Sequence, residues 1–261
     1  MDGPLAHRGA GVNRTPPFPG GTSVSRLSVY SSPCADGLAG GTPHLHTAST
    51  EAYVVTGGEG ELQTLDASGF RSTPLAAGMT VWFTPGTIHR AVNHGSLQVV
   101  VVMQNAGLPE AGDAVMTFPP EIVADAARYT AAAALPANAP AGEIDEAVRR
   151  RRDLAVSGFQ RLVASADAGD LAPLEQLYAS AVALVRPRIA AWRQTWKETV
   201  ERETRHTADI LDALERGDGH HLRQSMLLGS PAGEAARWGM CGQLRTHDVR
   251  QPAVLSGPTR S

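Results

Sequence analysis

The sequence predicts an α+β chain with its strands first and its helices second, and three observations carry that reading. Between Val24 and Gln104, short segments rich in β-branched and aromatic residues recur between turns containing glycine and proline. From Glu143 onward the apolar period changes to three, four and seven residues, the spacing of one helical face. Within the strand region, His44, His46 and Glu51 are answered by His89, which follows a Pro85-Gly86 turn. Runs of strands followed by runs of helices define the α+β class.

Taken in order, residues 1–22 are rich in Gly, Pro and small polar side chains and are expected to be disordered. His44 and His46 lie two apart, so on an extended segment both point to one face and can grip one ion together. Glu51, five residues further, can reach the same ion from the side. Residues 52–56 read as a strand, Gly57-Gly58-Glu59-Gly60 as a hairpin turn, and residues 61–65 as the returning strand. Residues 79–83 and 90–93 are further strand-like segments, which lets His89 come from a strand beside the first pair. The strongly apolar residues 97–103 predict a central strand buried on both faces. Residues 107–120 read as a loop, a short helix is expected over 121–134, and the proline-rich 135–142 reads as a linker.

Three imidazoles and one carboxylate are ligands for one divalent metal ion. Residues 40–93 resemble the two sequence motifs of the cupin superfamily. His44, His46, Glu51 and Gly58 fall at the spacing of the first motif, with Gly40 and Gly41 close to its leading glycine; Gly78, Gly86, His89 and Asn93 fall in the second. Pro85 stands one position later than in the most common form, a departure that touches turn shape and not the ligands. The resemblance implies an N-terminal jelly-roll-like antiparallel β-barrel with a metal near its axis, held by His44, His46, Glu51 and His89. It also implies pairing into a homodimer. The domain expectation is therefore a barrel over 23–118, a connecting segment over 119–142, a mainly helical region over 143–250 and a tail over 251–261.

The helical region divides into three stripes. Ile144, Val148, Ala155, Phe159, Leu162 and Ala166 form the first, which ends at Gly169. Asp170 is placed to cap the next helix, which Pro187 should break, and a third stripe runs from Ile189 through Trp192 and Trp196 to Leu214 before Gly217. The run Arg149-Arg150-Arg151-Arg152 reads as a solvated helix face. His206, His220, His221, His247 and Cys241 lack a recognisable ligand spacing, which favours surface or structural roles over a second metal site. Residues 238–244 are a segment that could return to the barrel as a strand.

Composition narrows the function. The formal net charge of −3 gives no reason to expect nucleic acid or an anionic membrane as partner, and no apolar run reaches membrane-spanning length. Two cysteines, Cys34 and Cys241, are too few and too distant for a disulfide framework, so a reducing cytoplasm is the expected setting. Neutral imidazoles and a carboxylate suit several divalent ions. Fe(II) is the first expectation, one ion per chain, with Mn(II), Ni(II) or Zn(II) as alternatives. On an ion that prefers six ligands, four protein donors leave room for a small substrate and O2, so the expected function is that of an Fe(II)-dependent oxygenase acting on a small organic metabolite. A non-redox isomerase, lyase or cyclase, and a small-molecule sensor without catalysis, are the alternatives. No catalytic acid or base stands out; Glu59 and Glu61 follow the first motif without being compelling. Tyr53, Trp82, Phe83 and Met103 are candidates to line an apolar cavity. Because imidazoles coordinate only when neutral, metal binding is expected to weaken as pH falls through the ordinary histidine range, around 6.5.

Overall fold

The computed structural model describes residues 15–255. Of the segments expected to be disordered or tail-like, residues 1–14 and 256–261 lie outside the described residues. Within the described part of these segments, Pro19–Gly21 form a short 3-10 turn, and the Phe18 amide donates to the Val249 carbonyl at 2.9 Å.

The strands are β1 (Ser23–Val29), β2 (His44–His46), β3 (Glu51–Asp66), β4 (Gly69–Ala76), β5 (Thr80–Phe83), β6 (Ile88–Met103) and β7 (Ala114–Met116). Four short strands follow much later in the chain: β8 (Leu228–Gly229), β9 (Arg237–Trp238), β10 (Gly242–Thr246) and β11 (Ala253–Val254). Nine strands form one antiparallel sheet with the path β4-β3-β6-β1-β10-β9, in which β2 joins β6 and β7, and β5 joins β3. Between the two sets of strands lie α1 (Pro120–Val123), α2 (Ala126–Ala133), α3 (Ala141–Asp167), α4 (Ala172–Val185), α5 (Ile189–Trp196) and α6 (Arg202–Glu215). The class is α+β: an antiparallel N-terminal barrel followed by helices.

Local chemistry explains where the elements depart from expectation. The Gly57-Gly58-Glu59-Gly60 segment is no hairpin turn; β3 runs straight through it, with bulges against β6 between Val55 and Gly60. Gly58 has φ +70°, and a Cβ there would stand 2.2 Å from the Ser96 carbonyl oxygen, so only glycine lets the two strands approach this closely. The turn falls instead at residues 67–68, where Asp66 accepts from the Ser68 amide at 2.8 Å. Residues 97–103 are not buried on both faces. Leu97, Val99, Val101 and Met103 point into the barrel, while Gln98 is exposed and Val100 and Val102 are half-buried, the alternation of a sheet with one covered face.

Two apolar cores result. One fills the barrel through residues such as Leu27, Val55, Leu62, Leu97 and Val99. The other lies outside it, where Leu45, Leu65, Ile88 and Val115 meet Phe159 of α3, Leu174 and Leu177 of α4, and Trp192 of α5. The helices thus cover one outer wall of the barrel. As expected, Pro187 interrupts the helical run, with a 3-10 turn at Arg186–Arg188, and Gly217 follows the end of α6 with φ +73°. The third stripe packs only in part: Trp192 is buried, whereas Leu211 and Leu214 on α6 are exposed.

The seat of α3 is tight. Thr117 donates through Oγ1 to the carbonyls of Pro43 at 3.1 Å and Ala155 at 2.9 Å, drawing the helix against the segment that leads into β2. A Cβ on Gly158 would stand 1.9 Å from the Thr117 carbonyl oxygen and 2.9 Å from the carbonyl carbon of Phe118. Gly158→Ala is therefore expected to destabilise the protein by about 3 kcal/mol despite alanine's better helix propensity, because backbone must move to make room. A thermal melt equal to wild type would show that the helix does not rest there.

In the segment that could return to the barrel, Gly242–Thr246 is a strand antiparallel to β1, with Leu244 opposite Leu27. One expectation about residues 143–250 changes: the arginine run is not one solvated face. Arg149 and Arg150 are exposed and pair with Asp145 at 2.6 Å and Glu146 at 2.5 Å, but Arg151 and Arg152 are buried, at 8% and 0% exposure. Consecutive helical residues splay by about 100°, and in α3 the second pair turns toward the barrel. Arg152 donates to the carbonyls of Gly40 and Pro33, each at 3.1 Å, and to Ser32 Oγ at 3.0 Å.

Candidate metal centre

The β2 strand has only three residues, and its alternation decides the site. Leu45 faces outward into the core beneath the helices, while His44 and His46 line a cavity on the other side. The register of β2 on β6 sets His44 directly opposite His89, with ring centroids 4.2 Å apart. Glu51, the first residue of β3, reaches the pair from the neighbouring strand. Its Oε2 lies 3.1 Å from His46 Nε2 and 3.1 Å from His89 Nε2. All four side chains are buried, and one potential ligand atom from each lies within 4.8 Å of the others. Ligands about 2.1 Å from a single ion are at most about 4.2 Å apart, so inward shifts of a few tenths of an ångström close the set. The four residues could hold a divalent metal ion.

The surroundings orient the rings. His44 Nδ1 lies 2.8 Å from the Thr42 carbonyl and His89 Nδ1 3.2 Å from the Thr87 carbonyl, contacts that place the ring proton on Nδ1 and leave Nε2 as a lone pair. Glu51 Oε2 and His89 Nε2 have no conventional hydrogen-bond partner, the pattern expected of buried donor atoms aimed at a shared centre. His46 Nδ1 stands 3.4 Å from Asp113 Oδ2, long for a hydrogen bond but close for two charges. Asp113 is fully buried and accepts from the amides of Thr47 at 2.8 Å, Ala48 at 2.8 Å and Ser49 at 3.0 Å, so its carboxylate is pinned behind His46.

Burial, reinforced by the neighbouring imidazoles, holds His44 well below the ordinary histidine value, which keeps it neutral. For His46, burial also opposes charge, but Asp113 and Glu51 outweigh it and raise the group to about 9. Burial pushes Glu51 the other way, yet His89 and His46 hold it below the usual carboxylate range. Metal and proton therefore compete for His46. Below its ordinary value of about 6.5, the charge on His46 stabilises the metal-free fold in full, and that contribution is lost as pH rises through 9. Metal affinity has the opposite sign: it is expected to rise about tenfold per pH unit from 7 to 9, where an unperturbed histidine would have levelled off. Chelator-competition titrations with zinc at pH 7, 8 and 9 measure it, and a flat profile would show that His46 holds no proton.

A cavity of about 310 Å³ opens beside the cluster, small for a ligand site. Leu27, Val101, Met103 and Leu244 give it an apolar wall, and Trp238, Met240 and Cys241 close it from the returning C-terminal segment. Cys241 carries a neutral thiol, pushed up to about 12 by burial, and Tyr53 donates to its Sγ at 3.5 Å.

Of the residues expected to line a cavity, Met103 does so. Tyr53 and Phe83 are buried in the barrel, where Phe83 lies 4.1 Å from the His89 ring, whereas Trp82 is 70% exposed on the outer face. Glu61 does not line the cavity; it accepts from Gln63 and Ser72. His247 and Cys241 reach the cavity wall, but no second metal cluster forms among the described residues. Asp113 and Arg151 had no signal in the sequence: one is an acid in a loop that also holds Glu110, the other belongs to a charge run.

Residues 35–104 match the family model of the cupin domain, so the N-terminal barrel is a cupin domain. No curated protein matches the chain. Among solved structures, the nucleoside dehydratase Pac13 of Streptomyces is 22% identical over 36% of this chain and 66% of that chain, with a TM-score of 0.27. A conserved Klebsiella pneumoniae protein with a double-stranded β-helix domain is 23% identical over 35% of this chain and 69% of that one, with a TM-score of 0.25. The capsular polysaccharide assembling protein CapF of Staphylococcus aureus is 19% identical over 39% of this chain and 29% of that one, with a TM-score of 0.29. The chain thus spans about two thirds of the length of Pac13 and under a third of CapF. No helix among the described residues is long and apolar enough to cross a membrane.

Proposed function

We propose that this chain is a metal-dependent cupin enzyme acting on a small organic metabolite, with His44, His46, Glu51 and His89 as the metal ligands and Fe(II)-dependent oxygenation as its activity. The observation that carries the reading is the convergence of three imidazoles and a carboxylate, all buried, at the wall of a small and largely apolar cavity. Bound there, Fe(II) would supply redox chemistry toward O2, which none of the protein's own side chains can provide. The chain's residues do the rest. Thr42 and Thr87 orient His44 and His89, Asp113 positions His46, and Leu27, Val101, Met103 and Leu244 exclude water from the face where a substrate would lie.

A non-redox isomerase, lyase or cyclase is the second reading, favoured by Glu110 and His247, which line the same cavity and can move protons. Mn(II), Ni(II) or Zn(II) would serve such chemistry as a Lewis acid. Oxygen uptake by anaerobically loaded Fe(II) protein, offered a panel of small metabolites, separates these readings. Substrate-dependent uptake supports the oxygenase. Turnover without uptake, equal with zinc, establishes the second reading, and ligand binding without turnover by any metal form would leave a sensor. The free buried thiols of Cys34 and Cys241 support a reducing cytoplasm. A homodimer finds support in Val54 and Trp82, exposed on one face of β3 and β5, and light scattering measures it.

A further inference from the structure

The arginine run on α3 places one guanidinium where the metal chemistry would occur. Arg151 lines the cavity together with His44, His46 and Glu51, although it comes from the helical region and not from the barrel. It is 8% exposed. Its Nη1 donates to the Ala133 carbonyl at 3.3 Å and its Nη2 to the Gly239 carbonyl at 3.1 Å, while its buried Nε has no partner. Among the described residues no carboxylate lies within 4.0 Å of it, in contrast to Arg149, Arg150 and Arg90, each of which has an acidic partner. Burial lowers the guanidinium from its ordinary value, and the nearby Tyr30 and Tyr129 oppose that effect.

A buried cation left with two neutral acceptors is unfavourable unless something else completes it. The other charged groups on the cavity wall do not. Neither of the two carboxylates pairs with it: Glu51 lies 3.1 Å from His46 Nε2 and from His89 Nε2, and Glu110 accepts from the Gly107 amide at 2.8 Å. A guanidinium presents five N–H donors in a planar fork suited to a carboxylate. Resting on the metal-site reading above, we propose that Arg151 binds a carboxylate of the substrate, so that the substrate is a small organic acid held between this guanidinium and the His44, His46, Glu51 and His89 centre. The small volume and apolar wall leave room for a short acid carrying little other polarity; a phosphate dianion would need more donors than this one side chain and its surroundings offer.

Full-length protein loaded with zinc, a redox-silent ion, provides the test by calorimetric titration with acetate, lactate, pyruvate, succinate and benzoate, with their amides, and with glycerol phosphate. A metal ion prefers carboxylates to amides by itself, so the deciding comparison is wild type against Arg151→Met at equal zinc content. At least one acid is expected to bind wild type about tenfold or more tightly than it binds the methionine variant, while amide binding changes little. Arg151→Lys, which keeps the charge and loses the fork, should fall between the two, and it decides the matter if the methionine variant does not fold. Equal acid binding by wild type and variant, no acid binding at all, or tighter binding of the phosphate ester overturns the proposal. Failure of wild type to retain zinc would instead overturn the metal-site reading, a separate result seen in the metal content before any acid is added.

Discussion

Replacing His44 and His46 together with alanine is expected to reduce bound metal from one ion per chain to background, with loss of any metal-dependent activity, while the barrel remains folded. These residues supply two of the four donors that lie within 4.8 Å of one another, and His89 with Glu51 cannot enclose an ion alone. The fold should persist because neither side chain belongs to the apolar cores, and Asp113, left without His46, still accepts from the amides of Thr47, Ala48 and Ser49. Asp113→Asn offers a graded comparison: every ligand survives but His46 loses its anionic neighbour, and above pH 9, where a proton no longer competes for His46 in either form, metal affinity should fall about 10- to 100-fold. Elemental analysis and circular dichroism measure the two halves of the result. Full metal occupancy in the double variant would remove these residues from the ligand set.

Ending the chain at Asn138 is expected to abolish folding, an effect larger than that of any single substitution. Such a chain lacks α3, α4 and α5, whose Phe159, Leu174, Leu177 and Trp192 cover the outer wall formed by Leu45, Ile88 and Val115. Each large apolar side chain that loses its burial represents about 1.5–3 kcal/mol. A handful of them equals the whole stability of a typical domain, about 5–15 kcal/mol. The truncation also removes β10, leaving the β1 edge unpaired, and strips Arg151, Trp238 and Cys241 from the cavity. The helices are thus expected to form part of the barrel's own wall. A soluble product with a cooperative melt and full metal binding would refute that account.

Most of the buried histidine and glutamate cluster was legible in the amino-acid sequence because it depends on local geometry. A two-residue spacing places His44 and His46 on one face of any strand, whatever surrounds it, and the glycine and proline turns around His89 bring the next strand alongside. The helical stripes were legible for the same reason, as was their interruption at Pro187. Glycines misled where their role was tertiary. Gly57 to Gly60 carry the composition of a turn, but they are small because β6 passes close by, a fact that exists only once the two strands meet.

What the sequence determined by itself was therefore the barrel strands first with the helices after them, set by side-chain periodicity and backbone preference within a few residues, and the candidate quartet of His44, His46, Glu51 and His89, set by the two-residue spacing and by the cupin-like motifs that carry its members. Only the tertiary structure decided which residues complete the site. Asp113 stands behind His46 because a loop folds back, and Cys241 closes the cavity because β10 pairs with β1 across most of the chain. Arg151 faces that cavity while Arg150, one residue away, faces water. These assignments rest on long-range pairing and on the rotational setting of one helix against a wall. Neither leaves a periodic trace in the chain, because their physical cause is the packing of surfaces that come together only in the folded protein.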